Sequence, residues 1–137
     1  MADRMKLDIL PPRGAKREGI DVPGVEIPGL LGELGVLPEH VPFVTAVKPG
    51  VVRFRQNNES VRMAVGAGFL EVTDEGRVVL LCERALLPEE IDAEAARARL
   101  SEVEAELRQY SGPISAASYR DLDQERGWLE AQLRCAG

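Results

Sequence analysis

Residues 80–100 read LLCERALLPEEIDAEAARARL, and the fold turns on them. Before Pro88 the run is strand-like and ends in a dense apolar patch. After it, Glu89, Glu90 and Asp92 put negative charge where a helix N-terminus favours it, and alanines take over. The same change of character divides the whole chain. Residues 1–87 hold 16 Val or Ile and residues 88–137 only three, while Ala goes from six to nine. β-branched side chains suit pleated strands and Ala suits helices, so the order is β first and α second. Such segregation predicts an α+β chain or two packed units, not βαβ repeats. The divisions expected are residues 1–87 and 88–137.

Left of the junction, short strand-like runs alternate with Gly, Pro and Asn turns. Strands are expected at residues 7–10, 20–22, 25–27, 43–47, 51–55, 61–65, 69–72 and 78–82. The third-last and fourth-last of these flank Gln56-Asn57-Asn58-Glu59, a hairpin signal. The last two flank Asp74-Glu75-Gly76, a second one. Val61, Met63 and Val65 alternate with Arg62 and Ala64, which predicts one buried and one wetter face. Gly66-Ala67-Gly68 reads as a turn or bulge. A sandwich and a barrel both fit this pattern.

Right of the junction, Ala93, Ala96, Leu100, Val103, Leu107 and Tyr110 recur at helical spacing. Ser111-Gly112-Pro113 stops this helix. A second helix is expected from Ser115 or Ser118, with Ser118 and Asp121 as a capping box. Its stripe is Leu122, Leu129 and Leu133, with Trp128 beside it and Gly127 weakening it. Two helices joined this tightly pack antiparallel.

Composition narrows the function. The formal net charge is −6, of which −5 falls in residues 88–137, so the chain lacks the basic footprint of a nucleic-acid binder. No apolar run reaches the roughly 18 residues of a membrane span, and the N-terminus has no signal-peptide h-region. The expectation is a protein kept inside the cell, meeting a membrane only through partners. Cys82 and Cys135 have no metal-ligand spacing and read as two reduced thiols. His40 is the single histidine and lies between Pro38 and Pro42, with no Ser or Cys motif beside it. A hydrolase built on His40 would need a second catalytic group near that loop, and none is in view. The stretch Gly29-Leu30-Leu31-Gly32-Glu33-Leu34-Gly35 lacks the Gly-Lys-Ser/Thr end of a phosphate-binding loop and reads instead as a tight loop between strands. Neither a metal site, a cofactor nor an enzyme active site is expected.

Read in order, these blocks resemble a known family. Pro28-Gly29, Gly32-Glu33-Leu34-Gly35-Val36-Leu37-Pro38, His40, Pro42 and Thr45-Ala46-Val47-Lys48-Pro49-Gly50-Val51-Val52-Arg53 resemble the signature of the epsilon subunit of F-type ATP synthase. Val65-Gly66-Ala67-Gly68-Phe69-Leu70-Glu71-Val72 resembles its second glycine block, and Ile91-Asp92 its interdomain motif. The resemblance spans residues 7 to 110.

The resemblance implies a ten-stranded β sandwich followed by an antiparallel two-helix hairpin. It implies a non-catalytic place in the central stalk of the rotor, bound to the gamma subunit and the c ring, coupling proton translocation to ATP synthesis. The location implied is the cytoplasmic face of the bacterial inner membrane. Glu33 and His40 become the candidate c-ring contacts, and Ile91 and Asp92 the interdomain residues. ATP-binding relatives carry Ile/Leu-Asp-x-x-Arg-Ala, but Ala95 replaces that arginine here. The loss of a charge-assisted phosphate partner predicts weak or absent nucleotide binding. In some relatives the hairpin inserts into the catalytic head against the beta subunit. Here Arg120, Arg126 and Arg134 are outweighed by Asp121, Asp123, Glu125 and Glu130, so weak inhibition of ATP hydrolysis is expected. Glu39 stands where the family usually has Gly. The competing reading is a free-standing adaptor whose acidic hairpin binds a partner protein.

Overall fold

The computed structural model describes residues 4–39 and 41–137. Ten strands run β1 Met5–Leu10, β2 Arg17–Val22, β3 Val25–Gly29, β4 Gly32–Val36, β5 Phe43–Val47, β6 Gly50–Gln56, β7 Glu59–Val65, β8 Gly68–Val72, β9 Arg77–Cys82 and β10 Ala85–Leu86. A 3₁₀ turn at Pro88–Glu90 leads to α1, Ala93–Gln109, and α2, Ala117–Ala136. The α+β reading and the sandwich-plus-hairpin plan are what the structure shows.

The ten strands of the described residues form one hydrogen-bonded sheet, nine on a single path and β4 branching from β3, and β3 is where the sheet folds over. Val25 and Glu26 of β3 pair with Phe54 and Arg53 of β6, whereas Gly29 at its other end pairs with Val47 of β5. One layer is therefore β10-β7-β6-β3-β4 and the other β5-β8-β9-β1-β2. Alternate residues of both layers point inward: Val52, Phe54, Met63 and Val65 from one, Leu7, Ile9, Leu70 and Leu80 from the other. All eight are at most 5% exposed, and burying each such side chain contributes about 1.5–3 kcal/mol. On the open side Arg17 of β2 donates to Gln56 of β6 and lies 6.0 Å over the Phe54 ring.

The β6–β7 hairpin follows its sequence signal. Gln56 pairs with Glu59, and the two-residue turn between them has φ 53° at Asn57 and 65° at Asn58. Both are left-handed, as a type I′ turn requires, and Asn tolerates that conformation better than most residues.

Three expectations need correction. The stretch 29–35 is not simply a loop: Gly32–Val36 forms β4, paired along its length with β3, and only Leu30-Leu31 turn. Its glycines suppress any local strand signal, so register with β3 decides it. Ala64 is not on a wetter face; it is fully buried with Val51 beneath Trp128, Ala131 and Cys135 of α2. Ser118 does not cap α2. The cap is Ala116, which makes no side-chain bond, and Ser118 is the second residue of the helix, its hydroxyl 3.3 Å from that of Tyr110.

The helices stack outward from the first layer. Trp128, Ala131 and Cys135 of α2 face the sheet, and Leu122, Leu129 and Leu133 face Ala96, Leu100, Val103 and Leu107 of α1. Trp128 thus belongs to the sheet-facing side, at an angle to the leucine stripe. An α-carbon substituent at Gly127 would meet Pro49 at 3.5 Å, so α2 crosses the β5–β6 turn closely.

Candidate functional site

The residues singled out by sequence fall in two separate places. Glu33 lies on β4, exposed, opposite Pro28 of β3. Its carboxylate is 4.0 Å from the Arg53 guanidinium of β6, a long, solvent-screened pair. Beside it the β3–β4 turn projects Leu30 at 61% and Leu31 at 101% exposure. His40 lies outside the described residues. Glu39, just before it, has φ 67°. A left-handed backbone suits glycine, and holding Glu there costs about 1–2 kcal/mol.

Ile91 and Asp92 sit at the root of the hairpin and do local work. Ile91 packs against the cluster of Val51, Ala64, Trp128, Ala131 and Cys135. Asp92 caps α1, accepting from the Ala95 amide at 3.1 Å. Just upstream, Glu90 takes a two-pronged bond from Lys16 at 2.7 and 2.8 Å and accepts from the Leu87 amide at 2.8 Å. These donors hold the Glu90 carboxyl below the usual range. The 3₁₀ turn is thereby pinned to the β1–β2 loop.

Ala95 offers no cation where a phosphate-binding arginine would stand, and Arg99 is committed elsewhere. Its guanidinium makes two bonds to Glu125 of α2, at 2.7 and 2.9 Å, and one to Glu102 at 3.0 Å. The Glu125 carboxyl is pulled down by that arginine.

The two thiols are free and buried. Burial pushes Cys82 up to about 11, and Cys135 is also raised by burial despite Arg62 beside it. Neither is poised as a nucleophile. Among the described residues no group of His, Cys, Asp and Glu could hold a metal ion. Asp8 is buried but fully engaged, by Arg77 at 2.8 Å and the Gly19 amide at 2.6 Å.

The surface that sequence reading did not single out is the outer face of the second layer. Ala46, Phe69 and Leu81 stand in one cross-strand row, with Val44 one step along β5. Val44, Phe69 and Leu81 are 67%, 61% and 53% exposed. Ala46, Phe69 and Leu81 floor an open groove of about 1110 Å³ walled by α2, where Arg126, Glu130 and Arg134 line the rim. An apolar floor with a charged rim is the anatomy of a protein interface. The signal available was the unbroken apolar run Val78-Val79-Leu80-Leu81-Cys82, which reads as a strand covered on both faces.

Known proteins agree with this architecture. Residues 4–88 match the family described as "ATP synthase, Delta/Epsilon chain, beta-sandwich domain". A protein of Desulforamulus reducens named "ATP synthase epsilon chain" is 40% identical over 115 residues, covering 83% of this chain and 85% of its own. A protein of the same name from Trichlorobacter lovleyi is 37% identical over 133 residues, covering 97% and 95%. Among solved structures, a chain of the Euglena gracilis mitochondrial ATP synthase superposes with a TM-score of 0.84 at 23% identity, covering 99% of this chain and 82% of that one. At that identity the likeness is one of fold.

Proposed function

This chain belongs to the delta/epsilon family of ATP synthase, as an epsilon chain, and from that premise we propose that it works in the central stalk of the rotor. It has no active site in this reading. It joins the gamma subunit to the c ring and so couples proton flow through the ring to ATP synthesis in the catalytic head. Residues 1–87 bind gamma and the ring, and residues 88–137 form a regulatory hairpin. The observation that carries the reading is the uncovered apolar face of Val44, Phe69 and Leu81 on a sandwich whose own core is complete. That face takes gamma. The opposite requirement, polar docking on moving ring loops, falls to the β3–β4 end with Glu33, and to His40 on the loop beyond it. No helix among the described residues is long and apolar enough to cross a membrane. Attachment through partners at the cytoplasmic face of the bacterial inner membrane fits that.

The hairpin is read as a weak inhibitor that stays down. Trp128, Ala131 and Cys135 are docked on Val51 and Ala64, and insertion against the beta subunit would have to expose all five. Nucleotide is not expected to hold it: Ala95 lacks the cation and Arg99 is engaged by Glu125 and Glu102. Calorimetry with ATP should register no binding tighter than millimolar, and a tight, arginine-dependent isotherm would remove this part of the proposal.

The deciding experiment is co-expression with gamma from the same organism. A one-to-one complex is expected, and it should survive deletion of residues 88–137, because the sandwich core contains no hairpin residue. In the assembled enzyme the same deletion should change ATP hydrolysis by less than about twofold. Failure to form the complex, with both chains folded, would leave the adaptor reading in place.

A further inference from the structure

The outer face of β6 and β7 carries positive charge that its surroundings do not balance. Arg53 and Arg55 of β6 and Arg62 of β7 are all exposed, and Arg53 stands directly opposite Arg62 in the ladder. Like charges set opposite one another in an antiparallel pair destabilise it. In a chain of net charge −6 this is a local positive spot. Among the described residues the acid beside Arg53 is Glu33, 4.0 Å away and itself exposed. Arg62 uses its Nε–H on the Cys135 carbonyl, and Arg55 reaches the Ser60 hydroxyl at 3.2 Å and the Asn58 carbonyl at 2.9 Å. A guanidinium has five N–H donors, so each arginine keeps donors to spare.

The three arginines line one open groove of about 600 Å³, and Glu26 is the single carboxylate in its lining. The other end of the groove is apolar, with Pro23 and Leu37, and Leu37 is 64% exposed. Between the two ends lie Gly24 and Gly35, and a Cβ on Gly35 would meet nothing within 4 Å. The groove therefore joins a cluster of guanidiniums to an apolar shelf across a floor cleared of side chains. Guanidiniums match the oxygens of a phosphate in pairs. A ligand that fills the groove has a phosphate at one end and an apolar body at the other.

We propose that this groove binds an anionic phospholipid, its phosphate on Arg53, Arg55 and Arg62 and its glycerol and first acyl carbons over Gly35 against Leu37 and Pro23. An acidic peptide fits less well. Arg53 lies inside the sheet between Arg62 and Glu26, so the basic end offers no free strand edge, and a run of carboxylates leaving it toward β3 would meet Glu26. A nucleotide has no apolar body for the Leu37 end. The β4 wall of the groove belongs to the same strand as Glu33, which the stalk reading turns toward the ring and so toward the membrane. That placement rests on the stalk reading; the chemistry of the groove does not.

The test uses the full chain in about 0.1 M salt, where charges act over only about 10 Å. It is floated with vesicles of phosphatidylcholine alone and of phosphatidylcholine mixed with phosphatidylglycerol. It is also titrated by calorimetry with dihexanoyl phosphatidylglycerol below its micelle concentration, with glycerol phosphate and with hexaglutamate. Flotation with the anionic vesicles and saturable one-to-one binding of the short-chain lipid are expected. Glycerol phosphate, which lacks the apolar body, should bind at least about tenfold more weakly. Arg53→Gln removes a charge-assisted phosphate partner and should lower lipid affinity about tenfold. Arg55→Gln should act in the same direction and carries this arm if the first variant does not fold. Arg97→Gln, the same loss of charge on the exposed side of α1, should stay within about twofold. Leu37→Ser should weaken the lipid several-fold and leave glycerol phosphate unchanged. No binding of the short-chain lipid, equal affinity for lipid and glycerol phosphate, Arg97→Gln weakening binding as much as Arg53→Gln, or hexaglutamate binding more tightly than the lipid would each overturn the proposal. Complex formation with gamma is read in a separate experiment, so failure here leaves the stalk reading standing.

Discussion

Replacing Gly68 by alanine is expected to lower stability by about 3 kcal/mol or more, among the largest effects of any single methyl group in this chain. A Cβ on Gly68 would lie 1.8 Å from the Leu81 carbonyl oxygen and 2.8 Å from the Cys82 α-carbon. Both atoms are backbone of β9, so no side chain can swing away. The sheet would have to part where β8 is paired on both sides, Gly68 with Val47 of β5 and with Cys82 of β9. For a chain of this size, thermal unfolding should fall by about 10 °C. Gly35 supplies the control. It belongs to the other glycine block, but a Cβ there meets nothing within 4 Å and its φ is not left-handed. Gly35→Ala should stay within about 1 kcal/mol of the parent. If the two variants melt together, the close approach at Gly68 is not what fixes its identity.

The second large effect concerns assembly. Phe69→Asp with Leu81→Asp should weaken binding to gamma by about 100-fold or more while lowering the melting temperature only modestly, through two carboxylates that face each other across β8 and β9. Buried aromatic anchors at an interface centre are each worth about 2 kcal/mol or more, and a carboxylate left in an apolar contact adds its desolvation cost. Both residues are on the outer face, 61% and 53% exposed, so the sandwich core does not feel the change. Leu31→Asp, at the β3–β4 tip, should leave gamma binding unaltered and act only on contact with the ring. Surface plasmon resonance on the two variants would check this. Gamma affinity unchanged in the double variant would move the interface to another face.

Much of this fold was legible one segment at a time. The switch at Pro88, the Asn57-Asn58 turn and the acidic start of α1 are local chemistry, and each stands where the residues put it. What was not legible depends on a neighbour distant in sequence. Gly32–Val36 is a strand because β3 lies beside it, not because its residues favour one. Ala64 is buried because residues 128–135 return to cover it. Phe69 and Leu81 look like core in a list of apolar strand residues, and only the pleat direction shows them outside. Of the candidate contacts, Glu33 could be named from its motif, but its neighbour Arg53 could not, since that needs the β3–β6 register. Ile91 and Asp92 could be named too; the cap that Asp92 makes on the Ala95 amide is local, whereas the packing of Ile91 under α2 comes from tertiary contacts.

The pairing of β1 bears on how the chain comes into being. Its antiparallel neighbour β2 follows directly, but its other neighbour is β9, parallel to it, with Lys6 against Arg77 and Leu10 against Leu81. During synthesis at roughly 5–20 residues per second, the first strand waits several seconds with an open edge before its partner exists. Such long-range parallel pairing is slow to form and exposed to wrong partners meanwhile. The edge is not left bare of charge: Lys6 and Asp8 punctuate its apolar run, and Asp8, itself buried, is the side chain that later meets the half-exposed Arg77 of β9. A residue that guards the nascent strand against aggregation thus becomes, in the finished sandwich, part of what holds β1 and β9 together.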